Sequence, residues 1–128
     1  MTATVNDFNI FDQGETTGTL PANLGQFEFP DKMAALLKVE VFAVRSDMAA
    51  RAWTLESLIK RNGAGPLVQQ NLPSPPNAFA SAADATALTG VTIAMFTDGT
   101  FVGVACTGQA GQNIEWSVKI TGRGIVQS

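Results

Sequence analysis

The sequence predicts an all-β protein, an antiparallel β-sandwich of jelly-roll type with about seven strands. Three observations predict it. Apolar and polar residues alternate through several short runs, as they do along half-buried strands. Gly, Pro, Asn and Asp punctuate those runs at intervals of about eight to twelve residues. Only the alanine-rich stretch 77–89 reads as helical, for a turn or two.

Residues 1–23 read as an extended N-terminal arm, ahead of a sandwich domain at 24–128. TTGTLPAN (16–23) is turn chemistry, and no amphipathic period before it is long enough for a core of its own. Phe8, Ile10 and Phe11 are the apolar exceptions and the candidate assembly residues. They either lie on a neighbouring subunit or fold back on their own domain, and the sequence leaves both open.

The β signal begins at residue 24. Phe27 and Phe29 alternate with Gln26 and Glu28, and Pro30 stops the run. In 36–45 (LLKVEVFAVR), Leu37, Val39, Val41 and Ala43 share one face. Phe42 and Val44 join Lys38 and Glu40 on the other, so both faces are partly apolar. After a connection at 46–50, RAWTLESLIKR (51–61) sets Trp53, Leu55 and Ile59 against Thr54, Glu56 and Lys60. Trp53, Ser57 and Lys60 also fall at helical spacing, but alternation over most of the run favours a strand.

Asn62-Gly63 is a turn, extended by Ala64-Gly65-Pro66, before a short strand at 67–70. LPSPP (72–76) lacks the N–H groups a ladder needs and must be an exposed loop or edge. Runs 91–97 and 100–107 flank Asp98-Gly99, which predicts a tight hairpin with positive φ at both of those residues. The glycines of TGQAGQN (107–113) turn the chain again, with Gly111 expected at positive φ. The last strand then points Ile114, Trp116, Val118 and Ile120 inward, with Glu115, Ser117, Lys119 and Thr121 outward. Trp53, Leu55, Ile59, Ile114, Trp116 and Val118 are the expected core anchors.

Composition narrows the function. A chain of 128 residues fits one domain able to bury a core. Its 15% charged residues fall below the usual ~25%, which suits packing against copies of itself or a partner. A monomer rich in Ala, Thr and Ser would look the same. Net charge −3 without a basic run argues against a nucleic-acid partner. No apolar run approaches the ~20 residues that span a membrane, and the start lacks the pattern of a signal peptide. The chain is therefore expected to be made and used, or assembled, in a cytoplasm.

Catalytic and metal chemistry find little support. There is no histidine, which removes the commonest general base and metal ligand. The single cysteine, Cys106, lies in an apolar run and reads as a buried thiol. Asp47, Asp84 and Asp98 lack calcium-loop spacing, and GQAG is followed by a strand where a phosphate loop needs a helix. No metal or cofactor is expected. Glu40, Glu56 and Glu115 could line one sheet surface as in sugar-cleaving sandwiches. Each has a lysine close in sequence (Lys38, Lys60 or Lys119), so cross-strand ion pairs explain them more simply, and no enzyme is expected.

The segments LKVEVFAVRSD, RAWTLESLIKRNGAGPLV and TDGTFVGVACTGQAGQNIEWSVKI, in that order, resemble a C-terminal β-domain of many bacteriophage virion proteins, commonly tail fibres and other appendages. The matching positions are Trp53, Leu55, Leu58, Ile59, Lys60 and Arg61, then Thr107, Gly108, Ala110, Gly111, Ile114, Trp116, Val118 and Ile120. The likeness covers roughly two thirds of the chain, and 91–97 lacks the tryptophan the family usually carries there. It implies a non-enzymatic structural role in a phage virion assembled in the host cytoplasm. It also implies a homo-oligomer, a trimer, in contact with other capsid or tail proteins. Because the domain fills nearly the whole chain, a capsid cement or head-decoration protein is expected alongside a tail appendage. The alternative is a receptor- or glycan-binding module using Trp53 or the loop 72–81.

Overall fold

The computed structural model describes residues 3–63, 67–84 and 88–127. Among these the chain forms eight strands and one short 3₁₀ turn, Ala82–Asp84. The strands are β1 (Ala3–Thr16), β2 (Ala22–Glu28), β3 (Met33–Arg45), β4 (Ala50–Arg61), β5 (Val68–Phe79), β6 (Thr92–Asp98), β7 (Phe101–Thr107) and β8 (Ile114–Gln127). They make an all-antiparallel sandwich. A five-stranded sheet ordered β1-β8-β3-β4-β5 faces a three-stranded sheet ordered β2-β7-β6.

Alternation builds the core, because every second side chain of a strand points to the same face. β3 buries Met33, Ala35, Leu37, Val39, Val41 and Ala43; β8 buries Ile114, Trp116, Val118 and Ile120. Ile93 and Met95 of β6, with Val102, Val104 and Cys106 of β7, close over them from the smaller sheet. Trp53 on β4 and Trp116 on β8 reach each other across β3, where the small Ala43 stands opposite Trp116. Their rings stack at 5.7 Å with 26° between planes.

The expected division into an arm at 1–23 and a domain at 24–128 is not how the chain is laid out. Residues 3–16 are an edge strand, paired with β8 from Ala3↔Gln127 to Thr16↔Ile114. Phe8 and Ile10 alternate inward onto the core, and the Phe8 ring lies 5.5 Å from Phe27 and 6.3 Å from Phe29. Two side-chain bonds fasten the strand further. Asp12 Oδ2 accepts from the Gly25 N–H of the other sheet at 2.9 Å, and Thr16 Oγ1 accepts from Trp116 Nε1 at 2.9 Å. Two inward apolar residues make a weak local pattern; the partner that completes it lies at the opposite end of the chain.

Three further expectations change. The short strand expected at 67–70 is longer: residues 68–79 form β5, LPSPP lies in it at the edge position the sequence allowed, and its register against β4 shifts between Thr54 and Glu56. The expected helical turn at 77–89 reduces to Ala82–Asp84, with 85–87 outside the described residues, as is the Ala64-Gly65-Pro66 extension. In the β6–β7 hairpin the last pair is Asp98↔Phe101, so the central residues are Gly99 and Thr100. Gly99 has φ 61°, and Asp98 is not in the positive region. The register Ile93↔Cys106 and Met95↔Val104 keeps all four side chains inward, and a one-residue slip would turn one strand's set outward.

Candidate functional site

The outer face of the five-stranded sheet gathers the residues that sequence could only nominate. Glu40 on β3 stands opposite Lys119 of β8 and Thr54 of β4. Glu56 on β4 stands opposite Lys38 of β3 and Leu72 of β5. Glu40 and Glu56 thus come to the middle of one face, each across from a lysine. Glu115 is apart, near the end of β8, opposite Glu15 and Val44. Where the β4–β5 register shifts, the two strands frame a groove of about 440 Å³, lined by Lys38, Thr54, Glu56, Leu72, Pro73 and Asn77.

Among these charges the face also carries large apolar side chains. Leu36, Phe42, Leu58, Leu72, Phe79 and Ile125 are all exposed on it. Sequence reasoning noted Phe42 but missed the set. Its signal was present in LLKVEVFAVR, where both faces of the strand carry apolar residues. Of the candidate assembly residues, Phe8 and Ile10 are half-buried on this chain's own core. Phe11 is 69% exposed, with the Lys119 ammonium 5.7 Å from its ring centroid.

The other titratable groups have structural surroundings. Arg45 grips Asp47 through two hydrogen bonds of 2.9 and 2.7 Å, the one ion pair within 4 Å among the described residues. Asp47 also accepts the Ala49 N–H at 3.1 Å. The Arg45 bond first, and then the Ala49 bond, hold the Asp47 carboxyl down at about 2. The pair closes the β3–β4 turn. Burial pushes the Cys106 thiol up to about 12, where it is protonated and inert at neutral pH. Among the described residues no cluster of three metal-ligating side chains occurs. No described helix is long and apolar enough to cross a membrane.

Trp53, Leu55, Ile59, Ile114, Trp116 and Val118 are all buried. The two indoles turn toward each other, so Trp53 offers no ring face to a sugar; of the loop 72–81, Leu72, Pro73 and Asn77 form a groove wall. Gly111 sits exposed in its turn with φ 72°, and the Gln112 N–H donates to the Gln109 carbonyl at 3.3 Å.

No known protein family matches the chain, and no curated protein matches its sequence. Among solved structures, the sandwich is similar in fold to part of phage tailspike proteins. One of them is the tailspike protein of Acinetobacter baumannii phage AM24, with a TM-score of 0.51 at 10% identity. The alignment covers 91% of this chain and 26% of that tailspike, so the chain spans about a quarter of its length. A tailspike from Acinetobacter baumannii bacteriophage Fri1, a capsular polysaccharide depolymerase, aligns more loosely. Its TM-score is 0.43 at 7% identity, over 93% of this chain and 17% of that one. The likeness is one of fold.

Proposed function

We propose that this chain is a non-enzymatic structural β-sandwich of a bacteriophage virion, placed in the tail and working as a homo-oligomer. The observation that carries the reading is the fold shared with part of the AM24 tailspike over 91% of the chain. Six large apolar side chains exposed on one sheet face, Leu36, Phe42, Leu58, Leu72, Phe79 and Ile125, support assembly, since exposed apolar surface gathered on one face is a feature of interaction sites. The non-enzymatic part draws on where the carboxyls stand: Glu40 and Glu56 are diagonal neighbours about 7–8 Å apart, but on an open sheet face, and only Glu56 lines the groove. Glycoside cleavage by the usual route needs two carboxyls about 5–10 Å apart across the bond. Immunogold labelling of intact particles tests the placement. Label on tails supports it, label on heads moves the chain to a capsid cement role, and unlabelled particles reject a virion component.

A second reading, a glycan-binding module for host attachment, is favoured by that same groove. Lys38, Thr54, Glu56 and Asn77 bring an ammonium, a hydroxyl, a carboxylate and an amide beside the apolar Leu72 and Pro73. A glycan array with the isolated protein checks it. Binding abolished by Asn77→Ala would favour this reading over a purely structural one.

A further inference from the structure

The outer face of the five-stranded sheet carries a pattern that is complementary to itself. β3 is the central strand, and its outward residues run Leu36, Lys38, Glu40, Phe42: apolar, positive, negative, apolar. Leu36 is 51% exposed, Phe42 49% and the neighbouring Leu58 56%. These side chains stand at the middle of the sheet, where the decisive residues of an interface are usually found.

We propose that two copies of this chain pair through these faces about a two-fold axis that crosses β3 at the level of Val39. Such an axis lays each sheet on its twin and reverses the strand direction. On β3, Lys38 then meets Glu40 of the second copy, and Leu36 meets its Phe42. The register carries the same match to the neighbouring strands. Leu55 is level with Val39 on β4, so Glu56 meets a Thr54 hydroxyl and Leu58 meets the small Ala52. Ile120 is level on β8, so Lys119 meets Thr121 and Arg123 meets Ser117. No like charges meet on these three strands.

Other arrangements are worse. An axis level with Lys38 or with Glu40 sets that charge against its own copy and leaves an apolar residue facing a charge. A three-fold axis along β3 keeps each residue at its own level, gathering three Glu40 carboxylates in one ring and three Lys38 ammoniums in the next. Like charges so placed oppose association. Growth along the β5 edge is also hindered, because Pro73 and Pro76 have no N–H to donate. The self-complementary pattern of the face is what selects it as the surface for a second copy. This deepens the homo-oligomer part of the function proposed above, and its test needs no phage particle, so a failed pairing leaves the virion placement standing.

Sedimentation equilibrium of the 128-residue chain tests the pairing, with thermal melting to confirm that each variant folds. The wild type is expected to dimerise. K38E and E40K should each weaken dimerisation at least about tenfold, since each sets like charges face to face. The double variant K38E/E40K restores opposite charges across the axis and should recover the dimer. Phe42→Ser changes no charge and should also weaken the dimer; it decides alone if a charge variant fails to fold. A wild type that stays monomeric overturns the proposal, as does a trimer. So does a folded double variant that associates no better than its parents, or a Phe42→Ser chain that dimerises as the wild type does.

Discussion

The indole N–H of Trp116 donates to Thr16 Oγ1 inside the core, across 100 residues of sequence. Thr16 is buried, so water cannot replace the hydroxyl. Thr16→Val keeps the shape and orphans the donor, which should cost about 1–3 kcal/mol in urea unfolding. An unchanged midpoint would contradict that role. Cys106 makes a second residue-scale prediction. Its native pKa of about 12 stands above the ~8.5 of an unfolded thiol, so between those values the folded state binds more protons. Its contribution is therefore full below about 8.5 and is lost as pH rises toward 12. Cys106→Ala should flatten the alkaline fall in stability, as read from unfolding midpoints between neutral and strongly alkaline pH.

At the scale of elements, β1 and the turn after β7 behave in opposite ways. β1 pairs with β8 along its whole length and brings Phe8 and Ile10 to the core. Removing residues 1–16 should therefore unfold the sandwich or lower its melting temperature sharply; circular dichroism of the shortened chain at its wild-type melting temperature would sink that account. The turn at Gly111 needs only geometry. A side chain there meets no atom within 4 Å, yet φ of 72° disfavours a β-branched residue. Gly111→Val should cost about 1–2 kcal/mol through backbone strain alone, measurable as a lower urea midpoint with little change in slope. The β3–β4 turn shows the same economy, with Arg45, Asp47 and the Ala49 N–H forming one local lock.

For the whole molecule, one core joins both sheets, and the stacked Trp53 and Trp116 lie within it. A single core predicts a single transition, so tryptophan fluorescence and far-ultraviolet circular dichroism should give coincident unfolding curves. Curves that separate would mean that part of the sandwich opens independently. The same architecture explains why the outer sheet face stands out. The core already takes Val39, Val41 and Ala43 of β3, so Leu36 and Phe42 on its other side find no cover among the described residues.

Much of this was legible locally. Period-two alternation marks the inward set of β3, β4 and β8, because a strand has only two faces and one of them must leave water. The turn at Gly111 was equally readable, since a glycine between two strands supplies the conformation that other residues avoid. The hairpin was visible, but the turn within it moved by one residue, because inward packing of Ile93 and Met95 outweighs the local preference of Asp-Gly.

The sequence by itself determined the fold class, the inward residues of the long strands, and the absence of histidine chemistry. Those follow from composition and from patterns only a few residues long. Tertiary structure alone decided that residues 3–16 are a strand of the sandwich and not a free arm, since their partner is β8 at the far end of the chain. It alone brought Lys38, Glu40, Leu36, Phe42, Glu56 and Leu58 onto one face, because cross-strand register is set by how whole sheets pack and not by any residue's neighbours in sequence.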